Sequence, residues 1–166
     1  MVTELTVRDA TLEDLPTIVA IYNSTISSRM VTADTEPVSV QSREKWFHEH
    51  SPSRRPLWIV EYEGKECGWI SFQSFYGRPA YNRTAEISIY IHEDFRGKGL
   101  GKAMLQKAID ACPELQIKTI LGFIFAHNEP SLRLFKHFGF AQWAHLPKVA
   151  ELDGVERDLI ILGKRI

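Results

Sequence analysis

Residues 96–102 read Arg-Gly-Lys-Gly-Leu-Gly-Lys, three alternating glycines and three cations set between two segments of different periodicity. Before them, TAEISIYI at 84–91 puts Ala85, Ile87, Ile89 and Ile91 on one side and Glu86, Ser88 and Tyr90 on the other, the period of a strand. After them, Leu100, Ala103, Met104, Ala108 and Ala111 follow the 3.6-residue period of a helix, which Pro113 stops. Glycines at such a junction remove side chains where the backbone must come close to something. The free amides of a first helical turn, with the helix dipole behind them, favour an anion. Arg96, Lys98 and Lys102 work against that dipole, a conflict that makes sense when an anion sits in front of them. The plainer alternative is a glycine-rich turn with solvated lysines. Two other anion loops do not fit: a dinucleotide fingerprint needs glycine at position 102 and an acid about 20 residues on, and no Walker A spacing is present.

The rest of the chain alternates strand and helix patterns. Leu5, Val7 and Ala10 read as a short strand. Thr11 and Asp14 then open a helix over Leu12, Leu15, Ile18, Val19 and Tyr22, with Pro16 in its first turn. Residues 24–41, rich in Ser and Thr, predict a long irregular connection with a short helical piece, and long connections are often functional. A second helix is expected over Lys45–His50, capped by Ser42 and carrying Trp46 and Phe47. Strands follow at 57–62 and 67–75, joined by a turn at Glu63–Glu66. Residues 117–125 suit a central strand, and Pro130 and Gly139 frame a helix with Leu132, Leu134, Phe135 and Phe138 available for packing. Two last strands are expected at 140–146 and 157–164, separated by residues 147–156. The order β-α-α-β-β-β-α-β-α-β-β, hairpins first and one strand-helix-strand crossover later, predicts an α/β fold: a mixed sheet with helices on its faces.

Composition bounds the function. The chain has 166 residues, a length that predicts one domain over 1–166. With 20 Lys+Arg against 21 Asp+Glu it has no global positive field, so a nucleic-acid partner is not expected. Cys67 and Cys112 suggest ordinary packing in a reducing compartment. The six histidines are scattered at 48, 50, 92, 127, 137 and 145 without metal-ligand spacing, so no metal site is expected. Acids near the N-terminus argue against a signal peptide, and no apolar run is long enough to span a bilayer. The expectation is a cytoplasmic protein with no membrane partner.

Individual residues suggest chemistry. Glu86 stands mid-strand opposite the isoleucines, where burial in a cleft would raise its pKa and fit it to accept a proton; an exposed glutamate on an open face is the alternative. Arg78 can grip a carboxylate in a bidentate fork and Tyr76 and Tyr81 can wall a cleft, or all three can belong to a solvated loop. Glu36 can contact substrate or accept turn hydrogen bonds. Asn128 precedes a proline-started helix and reads as an N-cap from local sequence, with Ser131 three residues on.

Arg96-x-x-Gly99-x-Gly101, the preceding ISIYI and the following HNEPSLRLFKHFGF resemble the GCN5-related N-acetyltransferase (GNAT) superfamily. AIYN, TADTEP and FYGRPAYNRTAE add a resemblance to its phosphinothricin and methionine sulfoximine acetyltransferase group, and the likeness covers nearly the whole chain. It implies a splayed, mostly antiparallel sheet with acetyl-CoA entering the opening. It also implies pantetheine pairing by the backbone of Ile89, Tyr90 and Ile91, with Asn128 and Ser131 beside it. Arg96, Gly97, Lys98, Gly99, Leu100, Gly101 and Lys102 would wrap the pyrophosphate. Glu86 would be the general base, and substrate contacts would fall to Glu86, Ile87, Ser88, Tyr76, Gly77, Arg78 and Tyr81, with Glu36 a further candidate. The family's frequent tyrosine acid is replaced here by Phe135, which has no proton to give. The acceptor implied is a small amino-acid-like amine and the assembly a homodimer, with Trp143 and Leu146 as apolar contact area. Two rivals stand beside this reading: an acetyltransferase for another amine, such as a polyamine or a protein N-terminus, and a non-catalytic acyl-CoA sensor.

Overall fold

The computed structural model describes residues 5–166; the first four residues of the alternating N-terminal segment lie outside the described residues. Seven strands form one sheet: β1 (Leu5–Asp9), β2 (Leu57–Tyr62), β3 (Lys65–Ser74), β4 (Thr84–Ile91), β5 (Thr119–Phe125), β6 (Ala141–Leu152) and β7 (Val155–Arg165). Their spatial order is β1-β2-β3-β4-β5-β7-β6. Four helices complete the fold: α1 (Leu15–Ile26), α2 (Glu44–His48), α3 (Leu100–Ala111) and α4 (Glu129–His137). The chain order of strands and helices is the one predicted.

Every neighbouring pair is antiparallel except β4 and β5, which run parallel and pair only from Thr84 to Glu86 against Thr119 to Leu121. Beyond Glu86 the two strands part, because β4 continues along β3 while β5 continues along β7. This opens the sheet into a V. The main chain of His92 donates to Cys67 of β3 at 2.8 Å. Strand alternation then turns the main chain of Tyr90, Ser88 and Glu86 toward β3 and that of Ile87, Ile89 and Ile91 toward the opening.

Each face of the sheet is covered. On one, Ile70, Phe72, Ala85 and Ile87 pack with Leu100, Met104, Leu105 and Ala108 of α3 and with Phe135 of α4. On the other, Leu57, Ile59 and Trp69 pack with Ile18 and Ile21 of α1. Residues 69 and 70 belong to opposite clusters, as the two-residue period requires.

Several boundaries depart from the sequence reading. A 3-10 turn at Leu12–Asp14, with the Asp14 carboxylate accepting from the Thr11 N–H at 2.7 Å, precedes α1. Helix α1 then runs on through Asn23, Ser24 and Thr25. The Ser24 and Thr25 hydroxyls donate to the carbonyls of Ile21 and Tyr22, at 2.6 and 2.7 Å, so polar residues that favour loops are accommodated inside the helix. Ser42 does not cap α2: its hydroxyl donates to the Ser39 carbonyl at 2.7 Å, and α2 begins only at Glu44. The first hairpin turns on Glu63-Gly64 alone, with Lys65 and Glu66 already in β3. The expected loop at 147–156 is mostly strand, because Asp153-Gly154 makes a two-residue turn with both φ angles positive, at 54° and 78°.

Candidate active site

The V holds a groove of about 610 Å³, and a smaller pocket of about 200 Å³ lies beside it under α1 and α2. The groove is lined by Ile87, Ile89 and Ile91 of β4, by residues 95–101, by Gly122–Phe125 of β5 and by Asn128, Ser131 and Phe135. Val31 to Ala33, from the connection after α1, cover its mouth. Glu86, Ser88 and Tyr90 border both cavities. Their side chains alternate with the isoleucines, so one strand edge serves the groove with its backbone and the pocket with its side chains.

The glycine loop forms the groove's charged end. Gly97 and Gly99 have φ of 77° and 74°, a region that favours glycine, and a Cβ at either would meet nothing within 4 Å. Their requirement is therefore conformational. Gly99 is the N-cap of α3 and supplies no side-chain cap, which leaves the amides of the first turn free for an outside acceptor. Gly101 is different: it sits where α3 passes Leu134, whose methyl would lie 3.3 Å from an added Cβ. Arg96 is half exposed and 3.4 Å from Glu93. Lys98 lines the groove, whereas Lys102 is exposed and lines neither cavity. The remaining eleven of the twelve residues expected to meet a cofactor border the groove. Tyr90 is among them through its side chain, since its main chain faces β3.

Asn128 is buried at the β5–α4 junction. Its Oδ1 accepts from the Ser131 N–H at 3.3 Å, the N-cap role read from the sequence. Its Nδ2 donates to the Met30 carbonyl at 3.1 Å, and His127 Nε2 bonds the Arg29 carbonyl at 2.9 Å. These two bonds tie the segment that covers the groove to the sheet. Phe135 packs against Gly122, where an added Cβ would come within 2.7 Å of the ring.

Glu86 is partly buried and its side chain makes no hydrogen bond or ion pair among the described residues; burial alone pushes its carboxyl above the ordinary value. The pocket around it is aromatic. Trp69 stacks on Tyr90 with ring centres 4.6 Å apart, Trp46 meets Trp69 edge-on at 5.4 Å, and Tyr22 lies 5.0 Å from Tyr90. Tyr22 donates to Asp34 and also contacts Thr32; burial and the Asp34 carboxylate push its hydroxyl up to about 12. Arg43 and Gln73 complete the polar lining.

The substrate residues expected on the loop before β4 are elsewhere. Tyr76, Gly77, Arg78 and Tyr81 are exposed and line neither cavity. The tyrosines pack on Phe75, with ring centres 4.4 and 5.4 Å away, and the loop is pinned by buried Arg55, which donates to the Asn82 carbonyl at 2.8 Å. Glu36 is likewise exposed outside both. The pocket-lining residues that sequence reasoning did not single out for the site are Arg43, Trp46, Trp69, Tyr22 and Gln73. The signal was available in part: Arg43 and Trp46 are three residues apart, hence on one face of a helical turn. Cys67 and Cys112 are buried thiols pushed up to about 11 by burial, unsuited to nucleophilic work.

The sheet thus opens into a V with an anion-ready helix start at its mouth and a partly buried carboxylate at its seam, and residues 18–140 match the acetyltransferase (GNAT) family model. The chain belongs to that family and is an N-acetyltransferase. Over 163 residues it is 55% identical to YwnH of Bacillus subtilis, provisionally named a phosphinothricin acetyltransferase, covering 98% of this chain and 99% of that one. It is 29% identical to the L-methionine sulfoximine/L-methionine sulfone acetyltransferase of Pseudomonas aeruginosa, covering 94% of this chain and 91% of that one. The crystal structure of a phosphinothricin acetyltransferase from Sinorhizobium meliloti in complex with acetyl-CoA superposes with a TM-score of 0.91 at 26% identity, over 100% of this chain and 89% of that one.

Proposed function

We propose that this enzyme transfers the acetyl group of acetyl-CoA directly to the primary amine of a small amino-acid-like acceptor, of the phosphinothricin, methionine sulfoximine or methionine sulfone type. The observation that carries the reading is the seam: Glu86, among the described residues the one carboxylate bordering both cavities, stands where an acceptor in the pocket would meet a thioester in the groove. The relatives named for these acceptors and the neighbour complexed with acetyl-CoA support the same assignment.

In this mechanism the pyrophosphate rests on the amides of residues 97–101 with Arg96 and Lys98 balancing its charge, and the pantetheine arm lies along the open edge of Ile87, Ile89 and Ile91. The acceptor ammonium loses a proton to the Glu86 carboxylate, directly or through water. The amine lone pair then attacks the thioester carbonyl, and an N–H on the open edge of β4 stabilises the charge that develops on its oxygen. The C–S bond breaks as the amide forms. The nitrogen gives up its second proton through water to the departing thiolate, so CoA leaves as the thiol without help from position 135, and Glu86 returns the first proton to solvent. Holding both reactants against one strand supplies much of the rate advantage through orientation. The pocket is smaller than the ~300–1,000 Å³ of ordinary ligand sites, which favours a compact acceptor over a polypeptide end. We further propose that it works in the cytoplasm, where Cys67 and Cys112 stay as free thiols, and that it is a homodimer, supported by the exposed apolar residues of the β6–β7 hairpin. Turnover of acetyl-CoA with a panel of amino-acid, polyamine and peptide amines tests the reading. Acetylation confined to small amino-acid-like acceptors is expected; turnover of polyamines or peptides alone, or of no amine, defeats it.

A further inference from the structure

The acceptor pocket has one charged side chain of each sign, Glu86 and Arg43. Arg43 ends the 3-10 turn Gln41–Arg43, immediately before α2, and its side chain is 29% exposed. Two contacts fix its guanidinium: it lies 5.0 Å from the centre of the Tyr22 ring, and Nη2 donates to Asp34 Oδ2 at 3.0 Å. Asp34 is itself held by the Tyr22 hydroxyl. An arginine presents five N–H donors. Here Asp34 is the guanidinium's only hydrogen-bond partner among the described residues, so most of the fork remains available inside an aromatic pocket.

We propose that Arg43 binds the carboxylate of the acceptor and thereby restricts the acceptor to α-amino acids, an inference that rests on the acetyl transfer proposed above. An α-amino acid carries its ammonium and carboxylate on one carbon, and the pocket offers a carboxylate for the first and a guanidinium for the second. Bidentate pairing of arginine with a carboxylate fixes orientation as well as position. Asp34 and Tyr22 act as positioning residues that hold the fork in place. The same arrangement discriminates. A polyamine would bring a second cation toward Arg43, and a peptide N-terminus has a neutral amide in place of the carboxylate. Arg78, the arginine that the sequence suggested for this role, is exposed and lines neither cavity.

The test compares L-methionine sulfone with 3-(methylsulfonyl)propan-1-amine, the same molecule without its carboxylate, in the full-length enzyme with saturating acetyl-CoA. Arg43→Gln is expected to raise KM for the amino acid about tenfold or more while changing that of the amine less than about twofold, removing wild-type preference for the amino acid. The acetyl-CoA dissociation constant, measured by calorimetry, should be unchanged and shows that the variant is folded. Should Arg43→Gln not fold, Arg43→Lys, which keeps the charge and loses the fork, should give the same selective rise in smaller measure. Equal changes for both acceptors, or a selective rise produced by Arg78→Gln and not by the Arg43 variants, overturns the proposal. A wild-type enzyme that takes the amine as readily as the amino acid overturns it too. Failure of the underlying reading looks different: wild type then acetylates neither compound or does not bind acetyl-CoA, and the proposal falls with it.

Discussion

Glu86 owes its raised pKa to burial without a partner, which destabilises the carboxylate and makes it a better proton acceptor near neutrality. Glu86→Gln keeps size and removes basicity, so kcat should fall by about 10²–10⁴ with acetyl-CoA affinity nearly intact. The acidic limb of the rate profile should flatten in the same variant. Stability should move the other way. A carboxyl whose folded pKa lies above the unfolded one stabilises the fold fully below the unfolded value and loses that contribution as pH rises through the folded value. Glutamine escapes that loss. Thermal melts should therefore show Glu86→Gln gaining over wild type as pH climbs above the ordinary value of 4.5, and no such gain at pH 4. Glu86 was legible because an acid between alternating isoleucines is visible in the string. Arg43 was legible only in its spacing to Trp46, since its segment has no longer period and its partner Asp34 lies nine residues away across an irregular turn. Arg78 drew attention through its residue type alone, and residue type does not fix where a loop goes.

At the scale of elements, the two cavities depend on two helix placements. Helix α3 starts on Gly99 in the left-handed region, and its free first-turn amides require that start. Gly99→Val places a β-branched side chain at a φ of 74°, where space is open but the conformation is strained. The loop should refold locally, weakening acetyl-CoA binding at least tenfold, about 1.4 kcal/mol, in calorimetry on folded protein. Unchanged affinity would show that these amides do not hold the cofactor. Helix α2 has only five residues, too few to stand alone, and is held by Trp46 against Trp69 and by His50 just beyond its end. His50 Nε2 lies 2.6 Å from the Ser71 hydroxyl and Nδ1 lies 2.9 Å from the Trp46 carbonyl. Burial lowers the His50 pKa below its ordinary 6.5, so its contribution to stability is present above that value and is lost as pH falls through the folded one. His50→Gln should cost about 1–3 kcal/mol at pH 7 through the unmade buried bonds, and less as pH drops toward 5. Urea melts of variant and wild type at each pH give that difference directly, and a difference independent of pH would contradict it. The sequence announced α3 through its period and its proline stop; it understated α1 and β6, where serine, threonine and proline argue locally for loops and the fold satisfies them inside regular structure.

Over the whole molecule the feature that matters is where β4 and β5 separate. The crossover through α3 made a parallel pair predictable from the sequence. The point of parting was not, because it follows from each strand being committed to a different antiparallel neighbour, β3 on one side and β7 on the other. The same topology leaves β6 at the sheet edge, 12 residues long, with register shifts at Gln142/Ala144 and Leu146/Ala150. Such irregularities blunt an edge against strand addition, so side chains rather than backbone must make any contact there. Those side chains are unusually apolar: Trp143, Leu146, Val149 and Val155 are 49%, 37%, 58% and 47% exposed. Exposed large apolar residues gathered on one hairpin mark an interaction surface, the surface on which the proposed homodimer rests. Val149 also lines the cofactor groove, which puts that surface next to the site without placing Leu146 or Val155 in it. Sedimentation velocity should find wild type as a dimer and Leu146→Lys/Val155→Lys as a monomer, since burying two lysines against their copies is costly. The monomer should still bind acetyl-CoA, because the groove is lined by residues of one chain and neither Leu146 nor Val155 is among them. A wild-type monomer, or a variant that remains dimeric, would move the interface elsewhere and leave the apolar hairpin without this explanation.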